Sequence, residues 1–375
     1  MATILLMPFY VFSAGNPQPS DAVLVAILGL PILALRPSLP SSVARPVIAL
    51  VAFTLYVALC NLSWAAITAR TDFLRATLFY VFNLMVFVGY LVLTGYRGDA
   101  WLRATAYGFA ASILMLTVLA LAGGRTTGGR LVLYFNNPNQ LAYYVLMSVT
   151  LVVVLAKRAN LSAAVLIGLM AAAAYLEYRG HSRAGAAGLL LLLGFYLARN
   201  PLALALVAIP LFIVSLYYDP TDVDDPLWQA RVSNVESNSL AHFAEERGLD
   251  RIVDNPRYLL LGAGEGDYLR FNPNKLEVHS SAASIVFCYG VVGAGLFIVF
   301  AVRVLRAGEL RTALMLMPAL GYGLFHNGMR FRPFWVLLAV VVAYGVIVRI
   351  ERARDGPRAA SSGAASSGAA SPGGR

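Results

Sequence analysis

Charged residues and cysteines are both scarce in this chain, and each shortage excludes a class of protein. Only 13% of the 375 residues are charged and 59% are hydrophobic, whereas a soluble domain has about 25% charged residues. A water-soluble core is therefore excluded. The two cysteines, Cys60 and Cys288, both lie in apolar stretches, which excludes a disulfide framework and a cysteine-based metal site. The composition is that of a polytopic membrane protein.

Lysine is nearly absent as well. Of the 29 basic residues only Lys157 and Lys275 are lysines, and the formal net charge is +10. A basic balance can indicate nucleic-acid binding, but here the charges stand in short loops between apolar segments. This distribution indicates membrane topology together with a specific use of arginine, and no nucleic acid is expected as a partner.

Apolar segments of bilayer-spanning length recur along the chain. We predict an all-α polytopic fold with about twelve spans, at 2–14, 22–35, 46–67, 76–95, 104–122, 141–156, 161–176, 184–198, 201–218, 280–302, 312–325 and 333–348. Residues 1–350 would form a single transmembrane domain. The tail, 351–375, ends in Ala/Ser/Gly/Pro repetition and is expected to be disordered.

The basic loops set the predicted orientation, because loops rich in arginine stay on the cytoplasmic side. Both termini are then cytoplasmic, and the long segment 219–279 between spans nine and ten lies on the outer face. This loop contains 12 of the 19 acidic residues. Residues 239–254 within it have the apolar spacing of an amphipathic helix. Long structured loops in otherwise economical chains are usually functional.

Thirteen arginines fall on the outer face, where topology does not explain them. A single one is most simply a snorkelling or acid-paired side chain, but guanidinium groups also bind phosphate oxyanions through two parallel hydrogen bonds. As a set they favour an anionic headgroup such as a lipid pyrophosphate. They are Arg70, Arg75, Arg125, Arg130, Arg179, Arg183, Arg231, Arg247, Arg251, Arg257, Arg270, Arg330 and Arg332.

The four histidines differ in position. His279 directly precedes span ten, where the acidic loop meets the bilayer, and this position suits a general base that acts on a hydroxyl near neutral pH. His181 is a candidate for a supporting role, whereas His326 is expected to be structural and His242 to be solvated. No metal-binding constellation is visible in the sequence, and neither a metal nor a cofactor is expected.

Local motifs resemble those of the bacterial O-antigen ligase/polymerase family. Residues 279–280 (His-Ser) are followed, after nine residues, by 290–293 (Gly-Val-Val-Gly), which fits the family pattern His-[Asn/Ser/Gln]-x9-Gly-x-x-Gly. The predicted helix count and the single large outer loop between spans nine and ten agree with that family. The resemblance covers about residues 50–350.

Further matches are shorter. Arg251 with Gly262, and Arg183 with Gly194, both have the Arg-x10-Gly spacing described for the two outer loops of the polymerases. Segments 135–142 and 181–185 also look like family segments. Taken alone, Arg-x10-Gly is weak in a chain with 27 arginines and 32 glycines.

The resemblance implies an enzyme of the bacterial inner membrane that transfers undecaprenyl-pyrophosphate-linked glycans at the periplasmic face. Arg183, Arg251 and Arg231 would bind the pyrophosphate and stabilise its departing charge without a metal. His279 would orient or deprotonate the acceptor hydroxyl, so that the anomeric carbon is inverted. The apolar helices and the surrounding membrane lipids would shelter the polyprenyl tail.

The acceptor distinguishes the branches of this family. A polymerase uses a second lipid-linked glycan, often together with a chain-length regulator, whereas a ligase uses the lipid A-core. The two Arg-x10-Gly matches slightly favour a polymerase. Two other classes stay open: a twelve-helix transporter or flippase of lipid-linked sugars, and a non-catalytic scaffold. The absence of an internal repeat disfavours a transporter, and a scaffold would not need His279 with its arginines.

Overall fold

A computed structural model describes residues 1–12, 16–35, 40–198, 207, 245, 247–271 and 277–367. These residues are mostly helical, with one short hairpin that pairs Thr126–Thr127 with Arg130–Leu131. The α-helices are α1 (Ala2–Leu6), α2 (Pro19–Leu24), α3 (Leu30–Ala34), α4 (Ser41–Thr68), α5 (Asp72–Arg97), α6 (Asp99–Leu121), α7 (Pro138–Leu155), α8 (Ala163–Gly180), α9 (Arg183–Leu197), α10 (Asp250–Asp254), α11 (Ser281–Ala307), α12 (Leu310–Leu314), α13 (Met317–Phe325) and α14 (Arg332–Ser367).

Six helices of the described part are long and apolar enough to cross a membrane, judged by length and composition: α4, α5, α6, α7, α11 and the first part of α14, Arg332–Arg354. Three shorter apolar helical stretches are Pro19–Ala34, Arg183–Leu197 and Leu310–Phe325. The helical class is thus confirmed, whereas the predicted count of twelve spans is not. The predicted span 201–218 falls almost wholly outside the described residues.

Several predicted boundaries differ from the observed ones. Within the first predicted span, 2–14, the described helix covers only Ala2–Leu6 and stops before Pro8, whose ring cannot continue a helix. The last helix runs to Ser367 and therefore includes part of the tail for which the composition predicts disorder. Of the predicted amphipathic helix 239–254, the described part is helical at Asp250–Asp254 and at residue 245.

Short loops join antiparallel helices, so the loops collect at two opposite ends of the bundle. We call the "cavity end" the one formed by residues 69–71, 122–137, 181–182, 277–280 and 326–331. The "basic end" is formed by residues 97–99, 156–162 and 307–310. Contacts hold each group together: the backbone of Ser281 donates to the His326 carbonyl oxygen at the cavity end, and Arg158 reaches Asp99 at the basic end.

The long helices differ in how much of their apolar surface is buried inside the protein. Of the apolar window of α7, 83% is buried inside the protein, against 39% for α4 and for α11. The first is therefore surrounded by protein, while the other two leave apolar surface for lipid. Between α4, α5 and α11 lies an aromatic cluster in which the Tyr289 ring meets Phe53 and Tyr80 edge to face, at centroid distances of 6.1 and 5.6 Å.

Helix α11 is broken at Gly290, which has φ +64° and ψ −172°. The segment 259–264 docks on the break and takes up the exposed backbone groups. The Val291 amide donates to the Leu259 carbonyl oxygen at 2.7 Å, and the Gly264 amide donates to that of Cys288 at 2.8 Å. Inside a membrane every backbone polar group needs such a partner, so this loop segment completes the helix.

Both positions at this contact require glycine, because the backbone has a positive φ and a side chain would have no room. A Cβ atom on Gly290 would lie 2.3 Å from the Leu260 carbonyl oxygen, and one on Gly262 would lie 2.3 Å from that of Cys288. The two glycines belong to different sequence motifs, yet their backbones touch. The docking therefore fixes the start of the loop segment that follows Gly262.

Candidate active site

A cavity of about 590 Å³ lies at the cavity end. Its walls come from α5, α7, the residues before α11, the turn between α13 and α14, and the N-terminal segment that leads into α2. The lining residues are Tyr10, Asn16, Pro17, Gln18, Asp21, Ala22, Val25, Arg75, Leu78, Phe79, Phe82, Asn137, Asn139, Gln140, Tyr143, Glu277, His279, Tyr322, His326, Asn327, Arg330, Phe331 and Arg332.

His279, the predicted catalytic residue, lines this cavity. Its side chain is 53% exposed, and its Nδ1 atom lies 3.9 Å from Oε1 of Glu277. A carboxylate beside an imidazole can orient the ring and stabilise its protonated form, as base-assisting acids do in hydrolases. His279 thus presents a half-exposed imidazole to the cavity, with a carboxylate nearby.

The backbone around His279 is held on both sides. Its amide donates to the carbonyl oxygen of Arg247 at 3.0 Å, and α11 begins two residues later, at Ser281. Ser280 caps α11 by accepting a hydrogen bond from the Ala283 amide at 3.3 Å, which explains a serine after the histidine. Ser281 then donates through its hydroxyl to the carbonyl oxygen of His326 at 3.1 Å.

Glu265 connects the docked loop to the cavity. It is 1% exposed, and its amide donates to the side-chain oxygen of Asn61 at 2.8 Å. One carboxylate oxygen accepts from the Tyr289 hydroxyl at 2.7 Å, while the other accepts from Nε of Arg330 at 2.7 Å and from its Nη2. The buried carboxylate therefore fixes the direction in which the Arg330 guanidinium points.

Three arginines line the cavity, and they differ in their partners. Arg330 also lies 3.5 Å from Glu277, so it links the buried Glu265 to the acid beside His279. Arg332 is nearly buried and forms an ion pair with Asp21. Arg75, by contrast, is exposed and makes no ion pair with any residue that the structure describes. Of the three lining arginines, it is therefore the one whose guanidinium group is available to bind an added anion.

Polar and apolar groups divide the remaining wall. The start of α7 contributes Asn137, Asn139 and Gln140, and Asn137 caps that helix by accepting from the Gln140 amide at 2.9 Å. The N-terminus of a long helix favours a negative charge nearby. Leu78 and Phe82 of α5 form an apolar wall below Arg75. The cavity can therefore hold an anionic group beside an apolar chain.

His326 also lines the cavity, on a turn outside the helices. Burial, reinforced by the positive charge of Arg247, lowers the pKa of His326 to about 3. Its ring packs on Tyr322 at a centroid distance of 4.6 Å. His326 is therefore neutral at physiological pH and contributes a packed ring and a carbonyl anchor for Ser281.

The three predicted pyrophosphate-binding arginines are not brought together at the cavity wall. Arg183 is the first residue of α9 and is exposed at the cavity end, outside the lining of the cavity. Arg251 is buried behind the wall, with its guanidinium carbon 5.9 Å from the ring centroid of Tyr268. The Tyr268 hydroxyl in turn lies 3.4 Å from Arg330. Arg231 lies outside the described residues. Their assignment stays a prediction.

Sequence reasoning missed two carboxylates of the site. The Glu-x-His spacing of Glu277 and His279 directly before a helix was available as a signal, whereas Glu265 was hidden in a segment that resembles an ordinary glycine turn. Arg75, Arg330 and Arg332 belonged to the set of outer-face arginines, but nothing in their spacing distinguished them from the other ten.

Among the described residues, no group of three or more histidine, cysteine, aspartate or glutamate side chains has the arrangement to hold an ion. The expectation that transfer needs no metal stays a prediction.

A scan against protein-family models finds no match to this chain, and a search of curated proteins finds no similar sequence.

Proposed function

We propose that the protein is a membrane glycosyltransferase of the O-antigen ligase/polymerase type, which acts on undecaprenyl-pyrophosphate-linked glycans at the outer face of the bacterial inner membrane. The observation that carries this proposal is the His279–Glu277 pair, which opens into a cavity that also contains Arg75 and an apolar wall. A base, a cation and a route for a lipid chain are the parts that such a transfer requires.

The proposed roles follow from the positions of the side chains. His279 takes the proton of the acceptor hydroxyl as that oxygen attacks the anomeric carbon, and Glu277 stabilises the imidazolium that forms. The bond to the lipid pyrophosphate breaks with its electron pair on the departing phosphate oxygen. Arg75 faces that developing charge, supported by the helix N-terminus of α7. Leu78 and Phe82 receive the first part of the polyprenyl chain.

Polymerisation is favoured over ligation to the lipid A-core, since both Arg-x10-Gly matches point that way. The acceptor would then be a second lipid-linked glycan, and a chain-length regulator is the expected partner. Arg183 and Arg251 remain candidates for binding more distant parts of the donor, because both lie at the cavity end.

The decisive experiment replaces the proposed base. His279→Gln keeps a polar side chain but cannot accept the proton, so turnover of purified protein with lipid-pyrophosphate glycan should fall about 10²–10⁴-fold. The assay follows formation of the new glycosidic bond, with a chelator present. Thermal stability in detergent should change little, because the ring is half exposed and its backbone anchors remain.

Arg97→Gln is the matched control, because Arg97 is exposed at the basic end and should keep full activity. Near-normal turnover by His279→Gln at equal protein level would overturn the assignment of the base. If the unchanged protein is active without the chelator and inactive with it, the transfer reaction requires a metal. Movement of lipid-linked sugar across vesicles without bond formation would favour the flippase.

The outward orientation of the cavity end has its own test. The native thiols of Cys60 and Cys288 are buried, so background labelling should be low. In cells with a permeabilised outer membrane, Thr126→Cys should react with an impermeant thiol reagent, whereas Arg97→Cys should react only after the inner membrane is lysed. The reverse pattern would place the site in the cytoplasm and exclude a periplasmic transferase.

A further inference from the structure

A second hollow, of about 900 Å³, lies at the basic end. It is bounded by the start of α6, the end of α7 and the loop that follows it, the end of α9, the helix α12 and the last turns of α14. It is separated from the cavity that contains His279 by the length of the helix bundle, and the proposed transfer reaction does not use it.

Charge at this hollow is only partly compensated. Five basic residues and three acidic residues line it. Arg158 pairs with Asp99 at 3.2 Å and with Glu351 at 2.5 Å, and these contacts use three of the eight charges. Arg352 and Glu309 form a further pair, at 2.6 Å.

The other three charges of the hollow are all cations. Arg103, Lys157 and Arg311 are exposed, and none of them forms an ion pair with a residue in the described part of the chain. They come from three different elements, α6, the loop after α7 and α12, so the sequence does not group them. Three cations around one opening are the arrangement that a phosphate group binds.

Apolar side chains also line the hollow. Val153, Leu161, Phe195 and Val348 are partly exposed and lie among its lining residues, together with the charged groups. A soluble phosphate compound would leave these apolar side chains uncovered, whereas a phospholipid carries an acyl chain beside its phosphate. The combination therefore favours a lipid over a free anion.

We propose that the hollow at the basic end binds one anionic phospholipid, with its headgroup phosphate on Arg103, Lys157 and Arg311 and an acyl chain along the apolar lining residues. Ordinary topological arginines at the same end provide the contrast, because Arg97 and Arg306 are exposed there but lie outside the hollow. General attraction to an anionic membrane surface would use all of these cations alike. A built site would use only the first group.

The test measures lipid binding to the purified full-length chain by native mass spectrometry after delipidation. Phosphatidylglycerol is the anionic probe, phosphatidylcholine the neutral lipid and glycerol 3-phosphate the soluble phosphate. The unchanged protein should retain phosphatidylglycerol in preference to both others. The double variant Arg103→Gln/Arg311→Gln should bind it about 25-fold more weakly, since each arginine beside an anionic headgroup contributes a factor of about five.

The double variant Arg97→Gln/Arg306→Gln removes the same charge from the same end and should leave the affinity within about twofold. An equal loss in both double variants would reduce the effect to surface electrostatics and overturn the site. Binding of glycerol 3-phosphate as tight as that of the lipid would overturn the lipid assignment. If the first double variant does not fold, the single exposed change Lys157→Gln makes the same test, with a loss of about fivefold expected.

Discussion

The two ends of the bundle use the same residue type in different ways. At the cavity end Arg330 is 27% exposed and pairs with Glu265, which is 1% exposed. At the basic end Arg352 is 68% exposed and pairs with Glu309, which is 23% exposed. The first pair is fixed by its surroundings, whereas the second is free to exchange with water. Burial of the partner, more than the presence of arginine, distinguishes a guanidinium with a fixed direction from one that exchanges with water.

This difference has a physical basis. A guanidinium held by a buried carboxylate keeps its direction before any ligand arrives, so little reorganisation is needed when charge develops beside it. The cost is the desolvation of both groups, which is tolerated when further hydrogen bonds satisfy the carboxylate. The Tyr289 hydroxyl donates such a bond to the Glu265 carboxylate, while the Asn61 side chain accepts from the Glu265 backbone amide and holds the residue in place. No comparable buried residue supports the Arg352 pair in the described part of the basic end.

The largest effect is expected from removing one carboxylate at each end. Glu265→Gln leaves the Arg330 charge partly buried without its main partner, and the free energy of unfolding should fall by about 3–5 kcal/mol. Glu309→Gln removes the partner of an exposed arginine and should cost about 0–1 kcal/mol. Unfolding of both variants in the same detergent measures the difference. Equal losses would show that the two ends do not differ in this way.

A single helix provides the next comparison, because α11 runs from one end to the other. Gly290→Ala places a Cβ atom against the Leu260 carbonyl oxygen at a positive φ, and should cost about 2–5 kcal/mol through strain and overpacking. Gly295→Ala, one turn further towards the basic end, meets no atom within 4 Å and should be neutral or slightly stabilising. Both are read by thermal unfolding. A harmless Gly290→Ala would mean that the loop docking is not needed.

The smallest effect concerns pH. The three described histidines all belong to the cavity end, and His326 has a pKa of about 3 there, against about 6.5 in the unfolded chain. Its neutral form is favoured by folding, so this contribution is complete above pH 6.5 and is lost as the pH falls towards 3. Unfolding free energy should drop by about 1–2 kcal/mol between pH 7.5 and pH 5. His326→Gln should reduce that drop. An unchanged profile in the variant would exclude His326 as the source.

Residues close together in the chain made part of this site predictable. His279 could be placed at the start of a long helix, because an apolar run follows it and Ser280 is a good cap. The helix ends were less predictable: α4 begins at Ser41, five residues before the predicted start, since Pro46 is tolerated within its first turns. Apolar runs mark the middle of such helices, whereas caps and turns decide where they end.

Contacts between distant segments could not be predicted. Gly262 and Gly290 were both noticed as motif positions, but nothing in the sequence indicated that their backbones touch. The same holds for Glu265 and Arg330, which are 65 residues apart. Spacing along a helix carries information about one face, whereas these contacts depend on how a loop folds back on a helix break. Site residues that act through such contacts need a structure to be found.

The ion pair between Asp21 and Arg332 joins segments that are 311 residues apart. During synthesis Asp21, in the N-terminal wall of the cavity, is therefore made long before Arg332, the residue with which it forms its ion pair. Until the ribosome has delivered α14, the chain contains His279 and the docked loop but no closed cavity around them. The cavity is therefore among the last features of the fold to form, because the two segments that close it come from opposite ends of the described chain.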